Sequence, residues 1–222
     1  QGAFVMEPKV GFYKDVVFFD YMSLYTSIIV AKNIDPGTFN KEKYGYKTPE
    51  ILDQDGKKVV YYFDTKEEGF IPKVVKDLIV RRNRIKEIIK KESNVTLEAR
   101  NYALKTVANS SYGMLAFFGA RYYCRECAAS IAAFGREFIQ DTIKNAQKEG
   151  FEVIYSDTDS LAVTLKGKTK KDVSAFLKKV NDELPSLMEL ELESFYPRGI
   201  FVSKKSETQG AKKKYALIKE NN

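Results

Sequence analysis

Residues 151–165 read Phe-Glu-Val-Ile-Tyr-Ser-Asp-Thr-Asp-Ser-Leu-Ala-Val-Thr-Leu. Two apolar, β-prone runs, Val153-Ile154-Tyr155 and Leu161-Ala162-Val163, flank a short polar segment, which predicts a β-hairpin with Asp157 and Thr158 near its turn. Asp157 and Asp159 then stand close together at the tip of a buried ribbon. Two such carboxylates repel one another and call for a shared proton, a basic partner or a divalent cation. An isolated Asp-x-Asp is usually only a polar turn, so metal binding needs another carboxylate in a similar setting. Asp20 supplies it, at the end of the apolar run Asp15-Val-Val-Phe-Phe-Asp20, a short strand expected to be covered on both faces. If the two strands are neighbours, their carboxylates converge at one edge of a sheet. Such a cluster can hold two divalent ions about 3.5–4 Å apart for in-line phosphoryl displacement.

Working outward, the composition narrows the chemistry. The chain has 222 residues, 44% hydrophobic and 30% charged, ample for a core in one or two domains. Nothing approaches the roughly 18 apolar residues of a membrane span, and no secretory signal pattern opens the chain. It begins at Gln1, which suggests a fragment, a processed chain or one product of a split gene. A net charge of +7 favours a polyanionic partner. Histidine is absent, which excludes Ser-His triads, His acid–base catalysis and His-ligated zinc. A metal would bind through oxygen, as Mg²⁺, Mn²⁺ or Ca²⁺ does. Cys124 and Cys127 form a lone C-x-x-C, half a zinc site at most, and read as two buried thiols or one local disulfide.

The chain opens as strand, then short helix (24–31, with Ser23 as N-cap), then a Tyr-rich region holding a hairpin at Asp55-Gly56. Helical periodicity follows from Pro72 to about Glu92 and, after a Ser93-Asn94-Val95 break, from Thr96 to about Ser111, which predicts a helical hairpin. Arg82 and Lys86 share one face of its first helix, and Lys105, Asn109 and Tyr112 share one face of its second. Each set could be a solvated surface; facing a carboxylate cluster it would clamp a triphosphate. Further helices are expected over about 126–149, ending at Gly150, and about 169–184, closed by Pro185. Strands are expected at 188–193, 198–203 and 214–219, with 206–210 a flexible insertion. Strands and helices fall in separate blocks, so an α+β fold with an antiparallel sheet is favoured.

Asp20-Tyr-Met-Ser-Leu-Tyr-Thr-Ser-Ile-Ile resembles motif A of family B DNA polymerases. Lys105-Thr-Val-Ala-Asn-Ser-Ser-Tyr-Gly113 resembles motif B, and Tyr155-Ser-Asp-Thr-Asp-Ser160 resembles motif C. Gly69-Phe-Ile-Pro with Arg82, Tyr122-Tyr-Cys-Arg-Glu-Cys127 and Lys213-Lys-Tyr215 also look like archaeal members, in the family's order over nearly the whole chain. The resemblance implies an antiparallel palm sheet backed by helices, with a two-helix antiparallel fingers hairpin. Palm would take 1–66 and 118–205, fingers 67–117, and 206–222 would be a basic tail leading toward a thumb. It implies a DNA-directed DNA polymerase core that adds deoxynucleotides to a primer 3′ end. Two Mg²⁺ ions (or Mn²⁺) would be bridged by Asp20 and Asp159, with Asp157 close by as the third catalytic carboxylate and a further candidate metal ligand. Backbone amides of Tyr21, Met22, Ser23 and Leu24, with Arg82, Lys86, Lys105 and Asn109, would hold the triphosphate. Tyr25 falls at the steric-gate position under the sugar and Tyr112 by the nascent base pair. Gly113, Thr158, Lys213, Lys214 and Tyr215 would meet DNA.

The implied partners are primer–template DNA, dNTP and a polypeptide or further segments supplying exonuclease and thumb, in the cytoplasm of an archaeal or prokaryote-like cell and with no membrane. Three features depart from the family: Thr26 replaces the usual proline, the tip between Lys86 and Lys105 is short, and 206–211 interrupt the approach to Lys213. A non-catalytic palm kept for structure or DNA binding is the alternative; loss of a catalytic aspartate would mark it, and all three are present. An RNA-binding ferredoxin-like module would need exposed aromatics in an RNP-type run, and none is evident.

Overall fold

The computed structural model describes residues 2–92, 94–205 and 209–219. In chain order the elements are β1 (Gly11–Tyr21), α1 (Leu24–Ala31), β2 (Phe39–Asn40), β3 (Tyr46–Lys47), β4 (Ile51–Leu52), β5 (Lys58–Val59) and β6 (Tyr62–Phe63). There follow α2 (Phe70–Lys91), α3 (Val95–Ala116), α4 (Arg125–Lys148), β7 (Glu152–Asp157), β8 (Ser160–Thr164), α5 (Lys170–Glu183), β9 (Leu190–Ser203) and β10 (Gly210–Ile218). They form two compact units, one from Ser23–Phe134 and one from Ala3–Met22 with residues 135–219. Among the described residues no helix is long and apolar enough to cross a membrane.

The second unit is an antiparallel five-stranded sheet in the order β10-β9-β1-β8-β7. Val16, Val17, Phe18 and Phe19 are at most 3% exposed, so this part of β1 is covered on both faces as its unbroken apolar run predicts. On one face Phe18 meets Tyr196 and Tyr215, while Tyr155 meets Phe201 and Tyr215, with ring centroids 5.6–5.9 Å apart. On the other, Phe19 packs edge-on against Phe176 of α5 at 5.3 Å, and the Tyr21 hydroxyl lies 2.7 Å from Thr142 Oγ1 of α4. Thr169 and Asp172 close a capping box at the start of α5.

The two strands expected at 188–193 and 198–203 are one strand, β9. Pro197 lies between them and has no N–H for the ladder. Across from it Asp15 leaves the strand conformation (φ 51) and turns its carbonyl to the Leu165 amide. The ladder skips one rung and resumes. Helix α3 also runs five residues beyond the expected Ser111, because Leu115 continues the buried stripe of Ala108 and Ser111. The final strand starts at Gly210 rather than Lys214, with a register shift before Tyr215 and Lys213 in the left-handed region (φ 63). Of the insertion expected at 206–210, residues 206–208 lie outside those described, and Gly210 already belongs to β10.

In the first unit α2 and α3 pack against each other, and Asn94 caps α3 by accepting from the Thr96 and Leu97 amides. The Asp55-Gly56 turn joins β4 to β5, with Gly56 at φ 75 and Asp53 accepting the Asp55 and Lys57 amides.

Burial pushes the Tyr21 phenol up to about 12, while the unfolded chain titrates near 10. The native state therefore holds this proton longer than the unfolded one. Its stabilising effect is complete below pH ~10 and lost as pH rises through about 12. Thermal midpoints should fall above pH ~10, and Tyr21→Phe should flatten that fall; an unchanged alkaline profile in Tyr21→Phe would rule this out.

Candidate active site

The register of three strands builds the first part of the site. Asp20 on β1 pairs with Ser160 on β8, and Ser160 pairs in turn with Asp157 on β7. Residues directly opposite one another share a face, so both aspartates stand on one side, about 10 Å apart at Cα with one strand between them. Asp159 occupies the turn that links β7 to β8, and its carbonyl accepts the Tyr21 amide at 2.9 Å. This brings Asp159 beside the end of β1, next to Asp20. The turn is tight. Thr158 takes φ 56 and donates its amide to Phe4 O at 2.8 Å, while its hydroxyl meets Asp157 Oδ1 at 3.1 Å. The Phe4–Lys9 segment that supplies this acceptor follows the outer edge of β7, where Met6 and Lys9 donate to Ser156 O and Ile154 O.

Asp157 has a basic partner. Lys213 Nζ lies 3.2 Å from its Oδ2, the Tyr155 hydroxyl lies 3.4 Å from the same oxygen, and the Lys213 amide donates to that hydroxyl at 3.0 Å. Burial, with the Asp157 charge adding to it, raises the Tyr155 phenol to about 12, so Tyr155 is a neutral hydrogen-bonding hub at ordinary pH. Tyr215 lies across Phe18, Tyr155 and Phe201 on this same face, and Lys214 beside it is exposed.

The sequence reading missed Glu191. It stands opposite Asp20 on β9 and extends the carboxylate row on the other side. Its only local signal is the alternation of Leu190-Glu191-Leu192-Glu193, which marks a half-buried strand but does not name its neighbour. Among the described residues no three carboxylates, cysteines or histidines form a ready-made metal cage. The oxygen-only donor set still fits Mg²⁺, which takes one or two carboxylates and completes its shell with water and substrate phosphates. Asp20 and Asp159 are the pair that would hold it.

The remaining site residues lie in the first unit. Ser23 precedes α1 in the left-handed region (φ 58), with no side-chain cap bond. The expected N-cap role is therefore not what its hydroxyl does: Oγ accepts from Arg82 Nη1 of α2 at 3.3 Å. Thr26, where the family resemblance would place proline, is buried and donates its hydroxyl to Ser23 O at 2.8 Å, which braces the same turn. Tyr25 of α1 packs on Tyr112 of α3 with ring centroids 4.7 Å apart. Lys86 lies half-buried one turn beyond Arg82, whereas Lys105, Asn109 and Gly113 are exposed on α3. Of the four amides expected to meet phosphate, Tyr21 N–H is bonded to Asp159 O and Met22 N–H to Glu189 O, both within the sheet unit. Ser23 and Leu24 follow them, and the Leu24 side chain is buried.

Cys124 and Cys127 are free thiols at the start of α4. The hydrogen bond between them holds Cys124 below the usual thiol range, and Cys127, the buried donor, is pushed up.

Comparison with known proteins places the chain in a family. The model of DNA polymerase family B matches residues 1–219. A DNA polymerase of Thermococcus sp. (strain 9oN-7) is 40% identical over 99% of this chain, and DNA polymerase 1 of Pyrococcus abyssi is 38% identical over the same share. The chain spans 28% of the length of each of these relatives. The structure of the family B DNA polymerase from the hyperthermophilic archaeon Pyrobaculum calidifontis is similar over 99% of the chain and 29% of its own length, with a TM-score of 0.70 and 32% identity. The curled antiparallel sheet with its carboxylate row, the family match along nearly the whole sequence and these archaeal relatives lead to one assignment: the chain belongs to DNA polymerase family B.

Proposed function

We infer that this chain is the catalytic core of a DNA-directed DNA polymerase, which joins a deoxynucleotide to a primer 3′ end by in-line phosphoryl transfer. The observation that carries the reading is the β1–β8–β7 register, which sets Asp20 beside the Asp157-Thr158-Asp159 turn on one sheet face. In this reading the five-stranded sheet is the palm, the α2–α3 pair the fingers, and the basic tail leads toward a thumb. Exonuclease and thumb come from further segments or a partner chain, as the 28% span of the relatives suggests.

Each residue then has a task. Asp20 and Asp159 would hold two Mg²⁺ ions. When bound, such ions lower the pKa of the attacking hydroxyl and neutralise charge on the transferring phosphate. Asp157 keeps Lys213 in place, so that Lys213, Lys214 and Tyr215 present a basic edge to primer–template DNA, with Thr158 and Gly113 also along the DNA path. Arg82, Lys86, Lys105 and Asn109 neutralise and orient the triphosphate, with the Ser23 and Leu24 amides as further donors. Tyr25, steadied by Tyr112, excludes a 2′-hydroxyl by volume.

Asp20→Ala or Asp159→Ala should lower incorporation by the assembled enzyme roughly 10²–10³-fold or more, with the fold retained. Near wild-type turnover in either variant would sink the metal assignment and favour a non-catalytic palm. Asp157→Ala should be milder, since its partner is a lysine.

Sugar choice is tested separately. Tyr25→Ala should raise ribonucleotide incorporation by orders of magnitude relative to deoxynucleotide, while Tyr25→Phe keeps discrimination because the ring supplies the bulk. The measurement is the ratio of kcat/KM for the two sugars. A ratio unmoved by Tyr25→Ala, in an enzyme that still extends primers, places the gate elsewhere.

A further inference from the structure

Between α1 and α2 lies a buried polar node that none of the roles above uses. Asn33 stands just past α1 in the left-handed region (φ 51), where its amide donates to Val30 O and the next amide, Ile34, donates to Ile29 O. This is a Schellman stop, a place where glycine is the usual choice. Here the side chain is used. Asn33 Nδ2 donates to Asp64 O at 2.8 Å and to Glu67 O at 2.7 Å, and Oδ1 accepts the Gly69 amide at 2.8 Å. Both amide protons and one oxygen lone pair are thus committed to the segment that leads into α2.

Asp35 completes the joint. Gly69, the N-cap of α2, has no side chain to cap with. Asp35, 34 positions earlier in the chain, accepts the Ile71 amide on Oδ2 at 2.8 Å and the Gly37 amide on Oδ1 at 2.6 Å. A carboxylate there also meets the positive end of the helix dipole. The cap leaves no room for a side chain at position 69, since a Cβ would come within 2.6 Å of Asp35 Cβ. Asn33 and Asp35 are 8% and 7% exposed, so water does not compete for these bonds.

We propose that the Asn33–Asp35 node is a positioning device for nucleotide binding: it fixes the base of α2 to the end of α1, and thereby sets where Arg82 and Lys86 stand relative to Ser23 and Tyr25. Helix α1 is held to α2 near both of its own ends, by this node beyond Ala31 and by the Ser23–Arg82 hydrogen bond at its start. Arg82 lies roughly 17 Å along α2 from Ile71, so a 10° swing about the base would displace it by roughly 3 Å. A displacement of about 1 Å can already cost a hundredfold in a pre-organised site.

The inference rests on the polymerase reading, and the test separates the two. Asn33→Gly keeps the left-handed backbone and deletes three hydrogen bonds; Asp35→Ala deletes the remote cap. Each should raise KM for the incoming dNTP at least tenfold in the assembled polymerase while primer–template Kd stays within twofold. Asp35→Asn, which can still accept from Ile71, should lie between Asp35→Ala and wild type, and it carries the test if the harsher variants do not fold. Ile51→Ala, in the buried wall of the peripheral β4–β5 hairpin, supplies a variant with a lowered Tm and an unchanged KM. Wild-type dNTP KM in folded Asn33→Gly and Asp35→Ala overturns the proposal and leaves the node a structural joint. A wild-type assembly that incorporates no nucleotide overturns the polymerase reading, and this inference with it.

Discussion

Ser160 faces two aspartates, and that register is the constraint on which the sheet's chemistry depends. The pairs Phe18–Ala162 and Asp20–Ser160 on one side, with Tyr155–Ala162 and Asp157–Ser160 on the other, put aromatic packing and carboxylates in successive rows of one face. A slip of one residue would send Asp20 toward the helix-packed side, where Phe19 meets Phe176, and would bring Phe19 into the polar row. The greasy rows therefore hold the charged one in place. Burying Phe18 and Phe19 contributes roughly 1.5–3 kcal/mol each. At the roughly 10 Å between Asp20 and Asp157, two like charges at a partly solvated edge repel by roughly 0.4–1.7 kcal/mol, less than that sum, so packing sets the register.

The ion pair at Asp157 refines the electrostatics. With Lys213 two-thirds exposed, the pair adds little to stability by itself. Its effect is on geometry, because the same lysine donates its backbone amide to Tyr155 and so ties the tail to the sheet at two points. Of the three ways to relieve the Asp157–Asp159 repulsion, the molecule uses a basic partner, Lys213, for Asp157.

Much of this was legible in the chain. The 151–165 hairpin, the buried run ending at Asp20, the helix pair and the Asp55-Gly56 turn each follow from local alternation or turn chemistry. What was not legible depends on partners distant in sequence. Nothing near Glu191 says that β9 lies against β1, and nothing near Gly69 says that its cap is Asp35. Ser23 looked like an N-cap because its type and position suit one, but Arg82, 59 residues later, engages its hydroxyl. The gap between the strands expected at 188–193 and 198–203 is only a skipped rung at Pro197, because a partner residue able to leave the ladder, Asp15, lies across from it.

Four of the left-handed residues share a logic that a sequence pattern does not expose. Ser23, Asn33, Thr158 and Lys213 all have φ between 51 and 63, and each stands where one element meets the next or, for Lys213, where β10 shifts register. Such a conformation costs a non-glycine residue about 1–2 kcal/mol, which glycine would avoid. Glycine would also remove what each residue does there. Ser23 would lose its hydroxyl to Arg82, Asn33 its three bonds to the 64–69 segment, Thr158 its hydroxyl on Asp157, and Lys213 its ion pair with the same carboxylate. A buried hydrogen bond is worth about 1 kcal/mol net, so Asn33's three bonds exceed the backbone term, while the exposed Lys213 pair acts on geometry more than on stability. The strain persists where a side chain must both turn the chain and hold a partner, which is why these positions fall beside the aspartate turn, the basic tail and the two ends of α1.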